Sequence, residues 1–286
     1  MALTIPFCFL TESGRIDLMT PQRDQPIRSM HNPQVQFIRE LLKEKAARMK
    51  HGLFVVEGIR LAEEVYEAGL APRLLLYSSQ LSARGKSLLE KYRTRGVEML
   101  ELDPDLLNRI SDTETSQGIL CLVPLSAQPF PDHADLVLIV DQLRDPGNMG
   151  TILRSAAATG VQMVVVTPGS VDPYMPKVVR AAMGAHFRLR IHQADWSWIS
   201  SYCASNLPAP LRILLADSGG GTNMWQTDLT VPLALVVGGE AEGAHPNSMS
   251  GAMDNIHIPM PGNFESLNAG VAASILLYEI LRQRNQ

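Results

Sequence analysis

Five consecutive apolar residues, Leu136-Val137-Leu138-Ile139-Val140, run into Asp141 and a turn at Pro146-Gly147. A strand without a polar side has no solvent face, so it belongs inside a parallel sheet covered by helices on both sides. The rest of the second half meets that demand. Strands are expected at residues 161–167, 187–191, 211–216, 233–237 and 256–258. They alternate with helices at 148–159, 176–182 and 196–205. The last strand ends at Ile258-Pro259, a loop with Pro261, Gly262 and Asn263 follows, and Ser266 opens an apolar helix. Leu267, Val271, Ile275, Tyr278 and Leu281 share one stripe of that helix. The expected architecture is α/β, with a five- or six-stranded, mainly parallel sheet.

The first half reads as a smaller α/β unit. Asn32-Pro33 is a cap followed by a residue suited to the first helical position. The helix it opens becomes basic toward residue 51, with Arg39, Lys43, Lys45, Arg48 and Lys50 against Glu40 and Glu44. A strand, Leu53-Phe54-Val55-Val56-Glu57, ends at Gly58, and a helix follows over 59–68 that carries Arg60. A strand at 74–77, a second basic helix at 82–96, a strand at 97–102, a helix at 104–110 and a strand at 119–123 complete the unit. The basic positions form either a solvated helix face or a surface that replaces phosphate counterions. The polar loop from Ser111 to Gln117 is a further candidate for facing a ligand. Residues 1–26, with three prolines, are expected to be a loose extension. The proline-rich stretch 124–132 is expected to link a domain at 27–123 to one at 133–286.

Composition narrows the function classes. A net charge of −4 over 286 residues excludes coating nucleic acid through bulk charge and leaves room for a local basic face. The three cysteines are far apart, and the seven histidines show no metal-ligand spacing, so no metal is expected. Free thiols point to a reducing cytoplasm. No apolar run reaches the roughly 18 residues of a membrane span, and the first ten residues lack the basic start of a signal peptide. No P-loop, GxGxxG after an early strand, or GxSxG elbow is present.

The chemistry gathers at three strand-to-loop junctions, the places where open α/β sheets bind ligands. In the first, Asp141 to Ala156, Asn148 is placed either to cap the helix or to face a ligand. Arg154 follows Ile152 and Leu153 in a nearly uncharged helix, so it needs a partner such as Asp141 or Asp145, or an anionic ligand. In the second, Gly238-Gly239-Glu240, two glycines let backbone approach a ligand closely. The third is the stretch from Ile258 to Ala272, where Ser266 and Asn268 also read as capping residues.

Together the three junctions resemble, in order and spacing, the three motifs of the SpoU/TrmH family of SPOUT RNA 2′-O-ribose methyltransferases. Those motifs are Asp-Pro-x-Asn-x-Gly-x-x-x-Arg, Gly-x-Glu-x-x-Gly and Ile-Pro-Met-x-Gly…Ser-Leu-Asn-x-x-Val-Ala. The segments Asn32-Pro33, Phe54 to Gly58 and Gln117-Gly118-Ile119 are similar to the substrate-binding domain that often precedes this catalytic domain. The resemblance implies a parallel sheet closed by a trefoil knot, a homodimer, and S-adenosylmethionine as cofactor. It implies cofactor contacts at Gly238, Ile258, Met260, Leu267 and Asn268, and a catalytic set of Arg154, Asn148, Glu240, Ser266 and Asn268. Arg39, Lys43, Lys45, Arg48, Lys50 and Arg60 would face RNA. The implied activity is methylation of a ribose 2′-hydroxyl, in large-subunit ribosomal RNA. The alternatives are a transfer-RNA ribose methyltransferase and a non-catalytic RNA-binding or ribosome-assembly factor on the same fold.

Overall fold

A computed structural model describes residues 25–125, 130–238, 253–262 and 265–286. Most of the expected N-terminal extension, together with Gly239, Glu240 and Asn263, therefore lies outside the described residues.

The first sheet holds β1 (Leu53–Glu57), β2 (Leu74–Tyr77), β3 (Met99–Glu101) and β4 (Ile119–Pro124) in the order β1-β4-β2-β3. β4 is antiparallel to β1 and β2, whereas β2 and β3 run parallel. Helices α1 (Pro33–Lys43), α2 (Lys45–His51), α3 (Ile59–Glu67), α4 (Ala83–Thr94) and α5 (Pro104–Ile110) surround it. The period-2 rule of strands divides β1 between two cores. Leu53 and Val55 join Val35, Ile38 and Leu41 of α1 on one face. Phe54 and Val56 join α3, α4 and the second half of the chain on the other.

The basic helix expected from Asn32 to residue 51 is two helices. Glu44 between them is extended, with φ −110° and ψ 119°. The cause is Arg48, which folds back so that its Nη1 donates to the carbonyls of Leu41 (2.6 Å) and Leu42 (3.3 Å) at the end of α1. Those carbonyls have no partner within their own helix. Breaking the helix at Glu44 lets a side chain of α2 satisfy them.

The second sheet is parallel throughout. It holds β5 (Leu136–Asp141), β6 (Met163–Val166), β7 (Ile191–Gln193), β8 (Arg212–Ala216), β9 (Thr222–Asn223), β10 (Leu233–Gly238) and β11 (Met253–His257), in the order β7-β6-β5-β10-β8-β11-β9. Helices α6 (Pro146–Ala158), α7 (Pro176–Ala182) and α9 (Ala269–Arg284) pack on one face, with Leu138, Val164 and Leu235 beneath them. Helix α8 (Trp196–Ser205) packs on the other, over Val137, Val165 and Val236. The sheet has one strand more than expected, the two-residue β9. It forms because Gly221 adopts φ 101° where any side chain would collide with the backbone of Asn255. The strand expected at 187–191 starts only at Ile191, because a short 3-10 helix, Ala185–Phe187, turns Phe187 toward the first half.

The two halves share a hydrophobic core. The Phe54 ring lies 5.1 Å from that of Tyr174, 5.8 Å from His186 and 6.4 Å from Phe187. Around this cluster, ion pairs join Arg48 to Asp172, Arg180 to Asp112 and Arg188 to Glu64. The His186 ring donates from Nε2 to the carbonyl of Pro173 at 2.7 Å, and its other ring nitrogen has no partner. Burial lowers its pKa to about 4, so the ring is neutral near pH 7. Among the described residues no helix is long and apolar enough to cross a membrane.

Candidate active site at the sheet switch point

From β5 the sheet grows outward through β6 and β7 on one side and begins with β10 on the other. That reversal opens a crevice at the carboxyl ends of β5 and β10. Gly238, the last residue of β10, pairs in register with Asp141, the last of β5. The first two sequence junctions are therefore adjacent in space, as their motif character implies.

Asp141 is fully buried and accepts hydrogen bonds from the Thr167 hydroxyl (2.6 Å) and the Trp196 ring nitrogen (3.2 Å). These bonds fix the strand end from which the first junction departs. Helix α6 is capped by Asp145, whose Oδ1 accepts from the Asn148 amide at 2.7 Å. Asn148 is thus not the cap. It sits in the first turn with its side chain nearly buried, released for another contact.

That contact is Asn268. Its Nδ2 donates to Asn148 Oδ1 at 2.8 Å, across 120 residues of chain. Its Oδ1 accepts from the amides of Gly270 (3.0 Å) and Val271 (3.2 Å) and caps α9. The expectation that Ser266 opens this helix is corrected: Ser266 is exposed in the non-helical stretch before it. An asparagine suits the position because its amide presents an acceptor to the helix and a donor to Asn148 at once, which a serine hydroxyl serves poorly. The helices are held side by side by a Ser155–Ser274 hydroxyl pair at 2.7 Å and by Gly270, where a side-chain carbon would meet Thr151 at 3.1 Å.

Arg154 lies on the exposed side of α6 and makes no hydrogen bond or ion pair among the described residues. The pairing with Asp141 or Asp145 offered by the sequence is not formed. Ile258, Met260 and Leu267, half-buried beyond β11, give the third junction apolar walls. Such walls fit a cofactor whose adenosine is recognised by main-chain groups and shape. Glu240 lies outside the described residues.

Of the stripe marked in the sequence, Val271 and Tyr278 face outward, Ile275 and Leu281 are half-buried with Ile275 packed on the core, and Leu267 precedes α9. Val271 is 46% and Tyr278 54% exposed, whereas Ala269, Ala273, Leu276, Leu277 and Ile280 form the buried face. Of the six basic residues expected to face RNA, Arg39, Lys43, Lys45, Lys50 and Arg60 reach solvent to differing degrees. Arg48 does not, and is corrected: it is 3% exposed and donates from Nε (2.8 Å) and Nη2 (2.6 Å) to Asp172. The sequence reading missed Asp172 and the buried Glu57. An acid closing the apolar run of β1 was the available sign of the latter.

Comparison with known proteins agrees with this geometry. The SpoU rRNA methylase family matches residues 135–278, and an MRM3-like substrate-binding domain matches residues 32–121. A Streptomyces viridochromogenes protein named 23S rRNA (uridine(2479)-2′-O)-methyltransferase is 32% identical over 266 residues, spanning 88% of this chain and 91% of its own length. The mitochondrial rRNA methyltransferase 3 of Homo sapiens is 30% identical over 311 residues, spanning 86% of this chain and 71% of its own. Among solved structures, the SpoU methyltransferase AviRb of S. viridochromogenes in complex with AdoMet superposes with a TM-score of 0.79 at 30% identity, covering 89% of this chain and 98% of that one. Motifs, sheet order and both matched regions lead to one assignment: the chain belongs to the SpoU rRNA methylase family.

Proposed function

We propose that the chain transfers a methyl group from S-adenosylmethionine to a ribose 2′-hydroxyl of large-subunit ribosomal RNA. The names of its relatives and the AdoMet-bound relative support the reaction and cofactor. The observation that carries the reading is the Asn268–Asn148 hydrogen bond, which joins the first and third junctions. It freezes two neutral side chains at the crevice, and Arg154 on the helix that carries Asn148 is a cation without a partner among the described residues.

Bound S-adenosylmethionine supplies an electrophilic sulfonium methyl. The chain's own work is alignment and charge. Gly238, Ile258, Met260, Leu267 and Asn268 would hold the cofactor, and Asn148 would fix the edge of its site. Arg154 would bind the phosphate beside the target ribose and stabilise the alkoxide as the hydroxyl proton passes to solvent water. A guanidinium stays protonated in proteins, so it is an anchor rather than the base. Holding the hydroxyl in line with the methyl supplies much of the acceleration. Ser266 and Glu240 complete the proposed set.

The same reading includes a homodimer, a trefoil knot in the carboxyl-terminal segment, a division into domains at 27–123 and 133–286, and a cytoplasmic location. The exposed Val271 and Tyr278 of α9, with Arg154 exposed and without a partner among the described residues, support a second copy completing the site. Burial pushes the thiols of Cys121 and Cys203 up to about 12, and both are unpaired, as a reducing compartment allows. The deciding experiment incubates the protein with labelled S-adenosylmethionine and, in parallel, large-subunit ribosomal RNA and transfer RNA, then maps ribose methylation. Label confined to transfer RNA would make it a transfer-RNA enzyme. RNA binding without transfer would make it an assembly factor.

A further inference from the structure

A cleft of about 350 Å³ lies in the first half, away from the sheet switch point, between α5, the turn after β2 and the loop before β4. Its floor is apolar, from Ile59, Pro104 and Leu107, and its rim carries the amides of Gln80, Asn108 and Gln117. No charged side chain lines it.

The cleft is built rather than incidental. Glu57, 7% exposed, spends a buried carboxylate on the loop that leads to it. It accepts from the Ser111 hydroxyl, the Asp112 amide (3.1 Å) and the Thr113 hydroxyl (2.6 Å). Gly58 has φ 97°, and a side-chain carbon there would press on Gln117 Oε1 at 3.3 Å; that oxygen accepts from the Ile59 amide at 2.9 Å. Gly118 has φ 80°, with Ser78 Oγ 2.9 Å from where its side chain would start. Glu57-Gly58 and Gln117-Gly118, distant in sequence, thus cooperate in shaping one hollow.

The amides point the same way chemically. Asn108 Oδ1 accepts from the Ser116 amide at 3.3 Å, and Gln117 Oε1 is committed to Ile59. These backbone donors fix both orientations, so the two NH2 groups remain as unused donors. Gln80 makes no hydrogen bond among the described residues. Arg60 and Arg109, chain neighbours of Ile59 and Asn108, are exposed and likewise unpaired. A flat, neutral group with acceptors on its edge suits the hollow, and anions suit its flanks.

We propose that this cleft takes one unpaired nucleobase of the RNA substrate by an acceptor-bearing edge, with Arg60 and Arg109 on the adjoining phosphates. The inference rests on the reading that the substrate is RNA, and it places base recognition in a neutral hollow, apart from the basic helices that would meet phosphate. Sequence-selective RNA binding reads splayed-out bases in this manner. The loop is also tied to the catalytic half: Asp112 pairs with Arg180 of α7, and α7 packs on α6 where Gly150 meets Ala181.

The test uses the full chain, large-subunit ribosomal RNA transcribed in vitro, and two variants. Gln80→Trp fills the hollow from a position with no internal bond. Asn108→Asp keeps the acceptor for Ser116 and removes the donor. Each should raise the RNA dissociation constant and KM about 10-fold, the size expected for losing a good base contact. Each should leave kcat and S-adenosylmethionine affinity unchanged. For Gln80→Trp the slope of log affinity against log salt should also hold, because no phosphate contact is lost and no charge is added; the carboxylate of Asn108→Asp lowers it by weakening Arg109. In contrast, Arg109→Gln should lower that slope by about one unit. If wild type binds and methylates this RNA while both cleft variants match it within two-fold, the proposal fails and the parent reading stands. If Gln80→Trp lowers the salt slope, the hollow takes phosphate and the proposal fails. If wild type neither binds nor methylates the RNA, both fail.

Discussion

Replacing Arg48 separates what its sequence position implies from what its structure shows. In Arg48→Met, Asp172 loses both charge-assisted bonds, at 2.8 and 2.6 Å, and the Leu41 carbonyl loses its donor. The side chains of the pair are 4% and 9% exposed, so water cannot take over. Asp172 would keep one internal bond, from the Tyr174 amide at 3.0 Å, and a buried negative charge. Breaking one partner of such a pair costs about 3–5 kcal/mol. For a chain of this size that lowers the melting temperature by roughly 2 °C per kcal/mol. Asp172→Asn removes the charge while keeping an acceptor for Tyr174, so the double variant should recover part of the loss, with a coupling of about 2 kcal/mol. Urea unfolding of the four proteins in the cycle measures this directly. RNA affinity and its salt slope should be unchanged where Arg48→Met is still folded. A variant that loses under about 1 kcal/mol yet drops one unit of salt slope would refute the structural argument and restore Arg48 to the RNA-facing set.

Arg154→Ala should reduce methyl transfer by at least 100-fold, the scale of losing a transition-state charge contact, with S-adenosylmethionine binding by calorimetry unchanged; near-normal turnover would remove it from the mechanism. Tyr278→Glu puts a charge on the exposed side of α9 without touching the buried face. Sedimentation should show it shifting the proposed homodimer toward monomer, with activity falling in parallel. His186 has a folded pKa of about 4, below its ordinary 6.5, so the unfolded chain takes the proton first. Stability is therefore complete above about pH 6.5 and falls as pH drops to about 4, by about 3 kcal/mol at 1.36 kcal/mol per unit. Unfolding free energies across that range should show this slope, and His186→Phe should reduce it while leaving the share of His192, whose pKa burial also lowers to about 4.

The α/β alternation was legible because strands such as β5 are apolar throughout and leave one environment to occupy. The three junctions were legible because tight turns, amides and a lone arginine are costly choices in such a context. The direction of the α9 stripe was not. Val271 and Tyr278 fall on the same apolar pattern as the buried Leu276 and Ile280, and periodicity cannot say which of two apolar faces meets the sheet. Ser266 and Asn268 are equally good caps in isolation; a partner 120 residues away decided between them. Arg48 looked like its basic neighbours because its carboxylate partner is 124 residues away. The hollow around Asn108 and Gln117 was hidden for a related reason. Its parts come from four separated segments, and only the polar loop from Ser111 to Gln117 announced itself.

The aromatic cluster around Phe54 has a mechanical consequence. Two halves that share Phe54, Tyr174, His186 and Phe187, and are pinned by Arg48, Arg180 and Arg188, cannot swing apart without wetting that core. The separation between the base-reading hollow and Arg154 is then set before RNA arrives, like the gap between the jaws of a fixed caliper. Adaptation falls to the RNA, which must already hold, or be bent into, a fold that presents one base and one ribose at that distance. Among many identical nucleotides, the one modified would be chosen by its offset from another, rather than by its own identity.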